Sequence, residues 1–412
     1  MPEHVTPETK AHPVLYLILF FPMGISNGYV VVTLGYLLSQ HNVSVAAVAT
    51  LAALSLTPQM WKFLWAPLVD TTLTVRGWFL LSALVTGALM AATAFVAPTQ
   101  ANLLFLEGLV LAFSLTSSFN AMAADSLMAH GTGEDEKGRA GGWSQAGNLG
   151  GTGLGGGAVL WLSQHPGAEW TSAGAMILAN LLPCLALLYF REPVFTHRAE
   201  RYLRSLWNVF LEVWEVLKRR EGALAFFIML LPIGVGAAQN LFSAIAGDWH
   251  ASANTVALAT GVLSGVISMI GCVLGGVICD RMDRKTAYCL FGLVLAVFAA
   301  GMAVAPHTEA MYVVFTSAYN FITGLAYAAF GAVVLESIGT GAAATKYNVL
   351  AGISNFPIIY QTKIDGYGHD IWGSNGLLYA DALCGVFAVA FYFTVAAAVR
   401  RFGPTAWRTA PA

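Results

Sequence analysis

The sequence predicts an all-α integral membrane protein of twelve transmembrane helices, arranged as two pseudo-symmetric six-helix bundles. Three observations lead to this fold class: an apolar composition, twelve separate apolar runs, and a repeat that relates the two halves of the chain. Of the 412 residues, 57% are hydrophobic and only 10% are charged, and the mean hydropathy is +0.67. A soluble domain carries about 25% charged residues, so this chain lacks the polar surface that water requires.

The same composition excludes several classes of protein. A formal net charge of −2 gives no concentrated basic surface for a nucleic-acid partner. The five cysteines lie singly in apolar runs, without the spacing of a disulfide framework or a metal site. No nucleophile with a nearby base is found, so we expect no enzyme, no cofactor and no metal. The first apolar run is too long for a signal peptide, so we expect the N-terminus to be retained.

Each apolar run has the length of a transmembrane helix, which needs about 20 residues to cross a hydrocarbon core of about 30 Å. Turn-like or charged residues separate the runs. The twelve spans are predicted at residues 13–38, 45–68, 77–97, 101–128, 140–163, 170–190, 222–247, 254–279, 286–305, 309–337, 346–364 and 375–399.

The basic residues of the connections predict the orientation, because Lys and Arg are held on the cytoplasmic side. The connections at one end of the bundle, which we name the basic end, carry Arg76, Lys137, Arg139, Arg281, Arg284, Lys285 and Lys346. The connections at the other end, which we name the neutral end, read QHNVSV, APTQ, QHPGAE, DWHAS and PHTE and carry no Lys or Arg. Only Lys363 lies near the neutral end. We therefore expect a multi-pass protein of the bacterial inner membrane with both termini in the cytoplasm.

One long connection divides the chain into a six-helix bundle at 1–190, a linker at 191–221 and a second six-helix bundle at 222–412. Leucine and tryptophan recur in the linker at helical spacing, which predicts an amphipathic helix on the cytoplasmic membrane surface. A regulatory or partner-binding role for this helix is the alternative.

Equivalent residues recur in the two halves at nearly one offset. They are a proline in the first helix, an aspartate that closes the second, and an acid at the end of the fourth. The pairs are Pro22 with Pro232 and Asp70 with Asp280, both 210 residues apart, and Asp125 with Glu336, 211 apart. Three matches in register indicate two homologous halves of parallel orientation, an arrangement found in secondary transporters.

Two stretches resemble known transporters. Gly276-Val-Ile-Cys-Asp280-Arg281-Met-Asp283-Arg284-Lys285 resembles the major facilitator loop motif GxxxDRxGRK, with Asp283 in place of the usual glycine. Lys62-Phe-Leu-Trp65-Ala-Pro67-Leu-Val-Asp70 resembles the K-F-L-W-[SA]-P-L-x-D stretch of the AmpG-type muropeptide permeases and the related acetyl-CoA and siderophore permeases. Where those muropeptide permeases often carry Q-D-x-x-x-D, this chain has Asn120 and Ala121 ahead of Asp125.

The resemblance implies a secondary active transporter that works by alternating access. The expected activity is proton-coupled import of a polar solute such as a muropeptide across the bacterial inner membrane. A permease for a siderophore or an acyl-CoA-like solute is the first alternative. A non-transporting membrane sensor or an integral membrane enzyme on the same scaffold is the second. The expected partners are the solute, protons and membrane lipid, and the chain is expected to be a monomer.

Polar side chains within the spans are the candidates for solute binding, because polar groups in hydrocarbon are costly and face a cavity or a partner. The first and seventh helices both carry proline and glycine near such residues, and paired interruptions of this kind indicate a binding site at the midplane. The alternatives are a packing kink or interhelical hydrogen bonds. The candidates are Asn27, Asn120, Gln239, Asn240, Asn320, Tyr327, Asn348 and Asn355.

Acids within the spans are the candidates for proton coupling, since burial favours a protonated carboxyl. They are Asp125, Glu336 and, nearer the neutral end, Glu107, with Lys62 as the ionic partner expected near Asp125. Asp125 is either proton-coupled or part of a structural ion pair. The resemblance also implies a conformational latch at the helix ends, formed by Lys62, Asp70, Asp280, Arg281 and Arg284.

Glycines spaced four residues apart predict faces where helices approach closely. They are Gly147, Gly151 and Gly155 in the fifth helix, and Gly261, Gly265, Gly271 and Gly275 in the eighth. By the resemblance, the fifth and eighth helices are expected to pack across the boundary between the halves.

Overall fold

The computed structural model describes residues 14–65, 72–131, 137–165, 167–190, 220–279, 281–338 and 352–402. Single residues are described between these ranges at 12, 69, 207, 211, 214, 217, 218 and 350. Throughout this part of the chain every regular element is helical, which confirms the all-α prediction.

Six helices form the first half. They are α1 (Val14–Gln40), which contains a π-helical stretch at Tyr29–Leu34, α2 (Val45–Trp61), α3 (Val75–Thr93), α4 (Leu103–Gly131), α5 (Lys137–Leu162) and α6 (Ala168–Leu181). Two of these helices continue as 3₁₀ turns, α2 over Lys62–Leu64 and α6 over Leu182–Tyr189.

Six more helices form the second half. They are α7, which begins as Arg220–Met229 and resumes in short turns from Ala237 to Trp249, α8 (Ala253–Cys279), α9 (Arg284–Val304), α10 (Glu309–Ile338), α11 (355–371) and α12 (374–402). The backbone leaves the helical conformation at Trp372 and Gly373, between α11 and α12. Twelve helices are thus present in the described residues, as the sequence predicts.

Several helices begin at a side chain that caps them. The hydroxyl of Ser44 accepts the Ala47 N–H at the start of α2, and the hydroxyl of Thr74 accepts the Gly77 N–H at the start of α3. At α9 the Asp283 carboxylate accepts the Thr286 N–H at 2.8 Å. Asp283 is the residue that replaces the usual glycine of the loop motif, and its role here is to satisfy a backbone donor at the helix start.

Among the described residues, eight helical segments are long and apolar enough to cross a membrane, with α11 and α12 counted together as one segment, Asn355–Val399. The other helices fall short for local reasons: α2 has 17 residues, α5 is rich in glycine, and α7 is interrupted. One predicted boundary is wrong: the eleventh span does not end at 364, because helix α11 continues to residue 371. The predicted connection at 365–374 begins with the polar stretch DGYGHD, yet Asp365 and Ser374 within this connection are buried.

The two halves repeat one packing pattern. In the first half α3 packs on α4 and α6, and in the second half α9 packs on α10 and α12. The long contact between α1 and α5 corresponds to the contact between α7 and α11. Most of the 191–221 linker lies outside the described residues, so its helix stays a prediction. Trp207, Leu211 and Trp214 are described, and all three are exposed.

In the described residues, the most extensive contacts between the halves are those of α1 with α7, α2 with α11, and α5 with α8. Between α5 and α8 the backbones approach so closely that a Cβ at Gly261 would lie 2.8 Å from Gly157 Cα. This confirms close packing of the fifth and eighth helices across the boundary.

The glycine faces have more than one partner. Gly147, Gly151 and Gly155 pack on α1 within the first half, and a different face of α5, at Gly153 and Gly157, meets α8. On α8, Gly261 and Gly265 face α5, whereas Gly271 and Gly275 face α10. Only part of the predicted glycine pattern therefore belongs to the boundary between the halves, because both helices carry glycine on two faces.

Candidate functional site

Helix α7 is interrupted near its middle. Pro232 has no N–H to donate, and Gly234 (φ 61°) and Gly236 (φ 66°) adopt the left-handed conformation that favours glycine. The equivalent part of the first half behaves differently, because α1 stays helical through Pro22. The predicted interruption is therefore found in one half only. A single missing N–H leaves α1 intact, whereas α7 breaks where two glycines reverse the backbone.

Tyrosines of neighbouring helices satisfy carbonyl groups along α7. The Tyr360 hydroxyl donates to the Leu230 carbonyl at 2.9 Å, and the Tyr327 hydroxyl donates to the Val235 carbonyl at 3.3 Å. An unsatisfied carbonyl in hydrocarbon costs several kcal/mol. These contacts therefore make an irregular backbone tolerable at this depth.

The interruption borders polar groups and a small cavity. Asn240 Nδ2 donates to Thr362 Oγ1 of α11 at 3.1 Å, and the Gln239 side chain hydrogen-bonds to the Tyr327 hydroxyl. A cavity of about 200 Å³ lies beside residues 232 and 234–236 and is also lined by Asp381 of α12. The structure thus brings together three of the predicted solute-binding residues: Gln239, Asn240 and Tyr327.

The other predicted solute-binding residues are dispersed. Asn120, Asn320 and Asn355 each donate to a backbone carbonyl of their own or a neighbouring helix, at 3.3, 2.8 and 3.1 Å. Asn27 Oδ1 is buried and accepts no hydrogen bond from the described residues. Asn348 lies outside the described residues. For Asn120 and Asn320, the interhelical or local hydrogen bond is the role that the geometry supports.

Lys62 and Asp125 form an ion pair within the first half. The Lys62 Nζ to Asp125 Oδ2 distance is 3.2 Å, and the two side chains are only 16% and 18% exposed. Next to this pair, Trp65 Nε1 donates to Ser118 Oγ at 3.0 Å. The KFLW stretch after α2 is therefore anchored to α4 at two points, near the basic end.

The remaining predicted residues lie apart from these groups. Glu107 is half-buried towards the neutral end of α4, Arg281 is exposed, and Arg284 is half-buried at the start of α9. Asp70 and Asp280 lie outside the described residues, as does the side chain of Glu336. The proposed latch is thus described only at Lys62, Arg281 and Arg284.

Two buried acids were missed by the sequence analysis. Asp365 of α11 is 0% exposed and Asp381 of α12 is 8% exposed. Gln361 Nε2 donates to Asp365 Oδ1 at 2.7 Å, and the Tyr319 hydroxyl donates to Asp381 Oδ2 at 2.9 Å. The wrong end of the eleventh span had placed Asp365 in a connection. A signal for Asp381 was available, since an acid within an apolar span is a functional candidate by default.

A polar seam closes the bundle at the neutral end. Asp370 Oδ1 of α11 accepts the Ala46 N–H of α2 at 3.3 Å, so an acid of the second half caps a helix of the first. His369 lies between Asp370, at 3.8 Å, and Asp248, at 3.7 Å, and the Ser374 hydroxyl also donates to Asp248. The hydrogen bond with His369 is the main cause that holds the pKa of Asp248 below its usual value. These contacts stabilise the seam at pH values above the ordinary pKa of an aspartate, and they weaken as the pH falls through the lowered pKa of Asp248.

Two parallel six-helix repeats, with polar groups buried beside an interrupted helix, define a secondary transporter. The model of the Major Facilitator Superfamily matches residues 16–361, and the chain belongs to this family. Members of the family carry small-molecule solutes across membranes, so the chain is a multi-pass membrane transporter.

Sequence comparison relates the chain to a permease. It is 25% identical over 371 residues to the anhydromuropeptide permease of Escherichia coli (strain K12), across 86% of this chain and 73% of the relative. The protein of the same name from Escherichia coli O157:H7 matches equally. This confirms the resemblance that the sequence motifs indicate.

Solved structures share the fold at low sequence identity. A nucleoside transporter matches with a TM-score of 0.68 and 14% identity, over 92% of this chain and 98% of the other. A D-xylose–proton symporter matches with a TM-score of 0.68 and 14% identity, over 92% and 95%. A bacterial homologue of the human lysosomal transporter Spinster, in an inward-facing and unoccupied conformation, matches with a TM-score of 0.65 and 13% identity, over 96% and 98%.

Proposed function

We propose that the protein is a proton-coupled importer of a polar solute of the anhydromuropeptide class in the bacterial inner membrane. The observation that carries this proposal is the similarity to an anhydromuropeptide permease across 86% of the chain. The buried amides and hydroxyls beside the interruption of α7 support it, because a sugar–peptide solute offers matching donors and acceptors. Gln239, Asn240 and Tyr327 are the proposed binding residues in the second half, and Asn27, whose buried Oδ1 accepts no hydrogen bond from the described residues, is the one proposed in the first half.

The cavity sets a condition on how such a solute binds. It is smaller than the roughly 300 to 1,000 Å³ that is usual for ligand pockets, and all of its lining residues belong to the second half. We therefore propose that a muropeptide binds in a wider space, which opens beside Gln239 and Asn240 when the two halves move apart. With the neutral end closed by the seam at Asp370 and Ala46, we propose that opening at the basic end releases the solute to the cytoplasm.

The Lys62–Asp125 pair has a separate role in this proposal. It fixes the end of α2 to α4 within the first half, so the six helices move as one body. We propose that Arg281 and Arg284, together with Asp70 and Asp280, form the latch that holds the halves together at the basic end.

The orientation has a direct test. A cysteine introduced by Ser163→Cys or Ser252→Cys is expected to react with a membrane-impermeant maleimide added outside intact cells, because both positions lie in or beside the connections of the neutral end. A cysteine introduced by Ser205→Cys is expected to react only after the cells are opened, because the 191–221 linker is basic. Labelling of position 205 in intact cells contradicts the proposed orientation. The five native cysteines are first replaced, and the cysteine-free protein is the control.

The transport activity is tested in proteoliposomes. Purified protein is expected to accumulate a radiolabelled anhydromuropeptide above its external concentration when the outside is more acidic than the lumen. A protonophore is expected to abolish this accumulation, while the solute still equilibrates across the membrane. The same solute is expected to raise the melting temperature, because a ligand that binds the native state stabilises it.

The outcomes separate the alternatives. Protein-free liposomes and D-xylose are the controls for leak and specificity. Uptake that ignores the pH gradient contradicts proton coupling and indicates facilitated diffusion. Stabilisation by a ferric siderophore or an acyl-CoA, without any effect of the muropeptide, contradicts the proposed solute. Binding without flux, for any of these solutes, identifies a sensor.

A further inference from the structure

Two carboxyl groups are buried against each other in the second half. The Asp365 and Asp381 side chains are direct neighbours that interact with each other, although they belong to different helices. No cation pairs with either carboxyl among the described residues, and Lys363, two residues from Asp365, is exposed. Two neighbouring negative charges without a counter-ion repel each other strongly where water is absent. The pair is therefore not explained as a structural ion pair.

The carboxyl pair has fewer hydrogen-bond donors around it than its buried oxygen atoms could accept from. Three donors reach it: the Tyr319 hydroxyl and the Ala238 N–H on Asp381, and the Gln361 amide on Asp365. Asp365 Oδ2 and Gln361 Oε1 are buried and accept no hydrogen bond from the described residues. Ionised carboxylates only accept hydrogen bonds, whereas a protonated carboxyl also donates one. One proton on the pair supplies the missing donor between the two acids.

We infer that Asp365 and Asp381 together form the site that binds the coupling proton. The proton adds to one carboxylate oxygen, that carboxyl donates to an oxygen of the other acid, and the pair carries one negative charge instead of two. The inference rests on the proposed proton-coupled transport. Tyr319 of α10 and Cys384 of α12 are the other titratable side chains that face the pair, and neither supplies a positive charge.

The position of the pair suits proton coupling. Asp381 lines the small cavity beside the interruption of α7 and contacts Ala238, which directly precedes the proposed binding residues Gln239 and Asn240. Asp365 precedes Gly366, whose added Cβ would lie 2.5 Å from Ala49 Cβ of α2 across the boundary between the halves. A change of charge at the pair therefore acts next to the interruption of α7 and next to the contact between α11 and α2.

The depth of the pair fits a proton that enters from the neutral end. Asp365 lies six residues before the end of α11 at 371, which is about 9 Å along a helix. The polar seam of Asp248, His369 and Asp370 lies between the pair and that end. The pair lies at about the depth of the proposed solute-binding residues, because Asp381 contacts Ala238 next to Gln239 and Asn240 bonds to Thr362, three residues from Asp365.

The proton itself is detected by infrared difference spectroscopy on the purified full-length protein. The wild type is expected to show the carbonyl band of a protonated carboxyl group that disappears as the pH is raised. Asp365→Asn and Asp381→Asn are each expected to remove this band. Glu169→Gln, which changes an exposed acid of α6, is the matched control and is expected to leave it unchanged. Tyr319→Phe removes a donor to Asp381 and is expected to shift the band while keeping the ring in place.

Transport provides the second measurement. Asp365→Asn fixes a neutral side chain of the same shape, so accumulation driven by the pH gradient is expected to be lost. Exchange of labelled for unlabelled anhydromuropeptide is expected to continue, because exchange needs no net proton movement. Glu169→Gln is expected to accumulate the solute like the wild type.

Three results overturn the inference. The first is a protonated-carboxyl band that persists in the Asp365→Asn/Asp381→Asn double variant. The second is full pH-driven accumulation by that variant, and the third is accumulation driven by a sodium gradient at constant pH, since carboxylate oxygens also bind metal ions. A wild type that shows the band and loses it in the variants, but transports no muropeptide, contradicts the proposed solute and leaves the proton site supported. If an asparagine variant does not fold, the band of the wild type and its shift in Tyr319→Phe decide the question.

Discussion

Gly151→Leu is expected to destabilise the protein by about 3 kcal/mol, the upper end of the usual cost of overpacking, because the added side chain meets backbone atoms. A Cβ at position 151 would overlap the Phe21 carbonyl oxygen and lie 3.1 Å from both Gly24 Cα and Ile25 N. Backbone atoms cannot rotate away as side chains do, so α1 and α5 must separate. The measurements are the melting temperature and the yield of monodisperse protein in detergent.

Two controls isolate the contact from the substitution itself. Ala158→Leu adds a leucine to an exposed position of the same helix and is expected to melt near the wild type. Gly150→Ala adds a Cβ that meets nothing within 4 Å, and it is expected to be neutral or slightly stabilising, since alanine favours a helix by up to about 1 kcal/mol. Gly151→Ala is expected to melt lower than Gly150→Ala. Equal melting of the position 150 and 151 variants would contradict close packing of α1 on α5.

The contact at Gly151 shows what the sequence predicts and what it leaves open. Spacing of four residues indicates that one helix face packs closely, but it does not name the partner helix. Gly151 packs on α1 and Gly153 on α8, because residues two positions apart in a helix point about 200° apart, on nearly opposite faces. Helix number and fold class depend on local hydropathy and were therefore predictable, whereas the partner of each face depends on the tertiary structure.

The acids show the same limit. Lys62 and Asp125 were predictable as a pair, because opposite charges in apolar spans are costly unless they meet. Asp365 was not, since its burial depends on α11 continuing past 364 and packing on α12 near Asp381. A polar stretch such as DGYGHD has the composition of a loop, and only its tertiary surroundings bury Asp365 while Tyr367 stays exposed.

Asp125→Asn is expected to destabilise the protein by about 3 kcal/mol, because it leaves the Lys62 ammonium without its carboxylate. The cost lies at the lower end of the range for buried pairs, since the two side chains are 16% and 18% exposed. With the coupling proton proposed to bind at Asp365 and Asp381, we propose that Asp125 is the structural partner of Lys62. The loss of stability is therefore expected whether or not a pH gradient is present. The melting temperature, solute affinity and pH-driven uptake are measured on one preparation.

A double-mutant cycle distinguishes the ion pair from a proton carrier. Lys62→Met combined with Asp125→Asn is expected to recover part of the lost stability, because no charge is left unpaired, and coupling energies of contacting residues are about 0.5 to 3 kcal/mol. Glu107→Gln on the same helix is the comparison, since no ion pair of Glu107 is found among the described residues, and it is expected to melt near the wild type. A stable Asp125→Asn protein that binds the solute but no longer accumulates it against a gradient would assign the coupling proton to Asp125. In that case the double variant would also fail to accumulate the solute, because restoring the charge balance does not restore a group that binds and releases a proton.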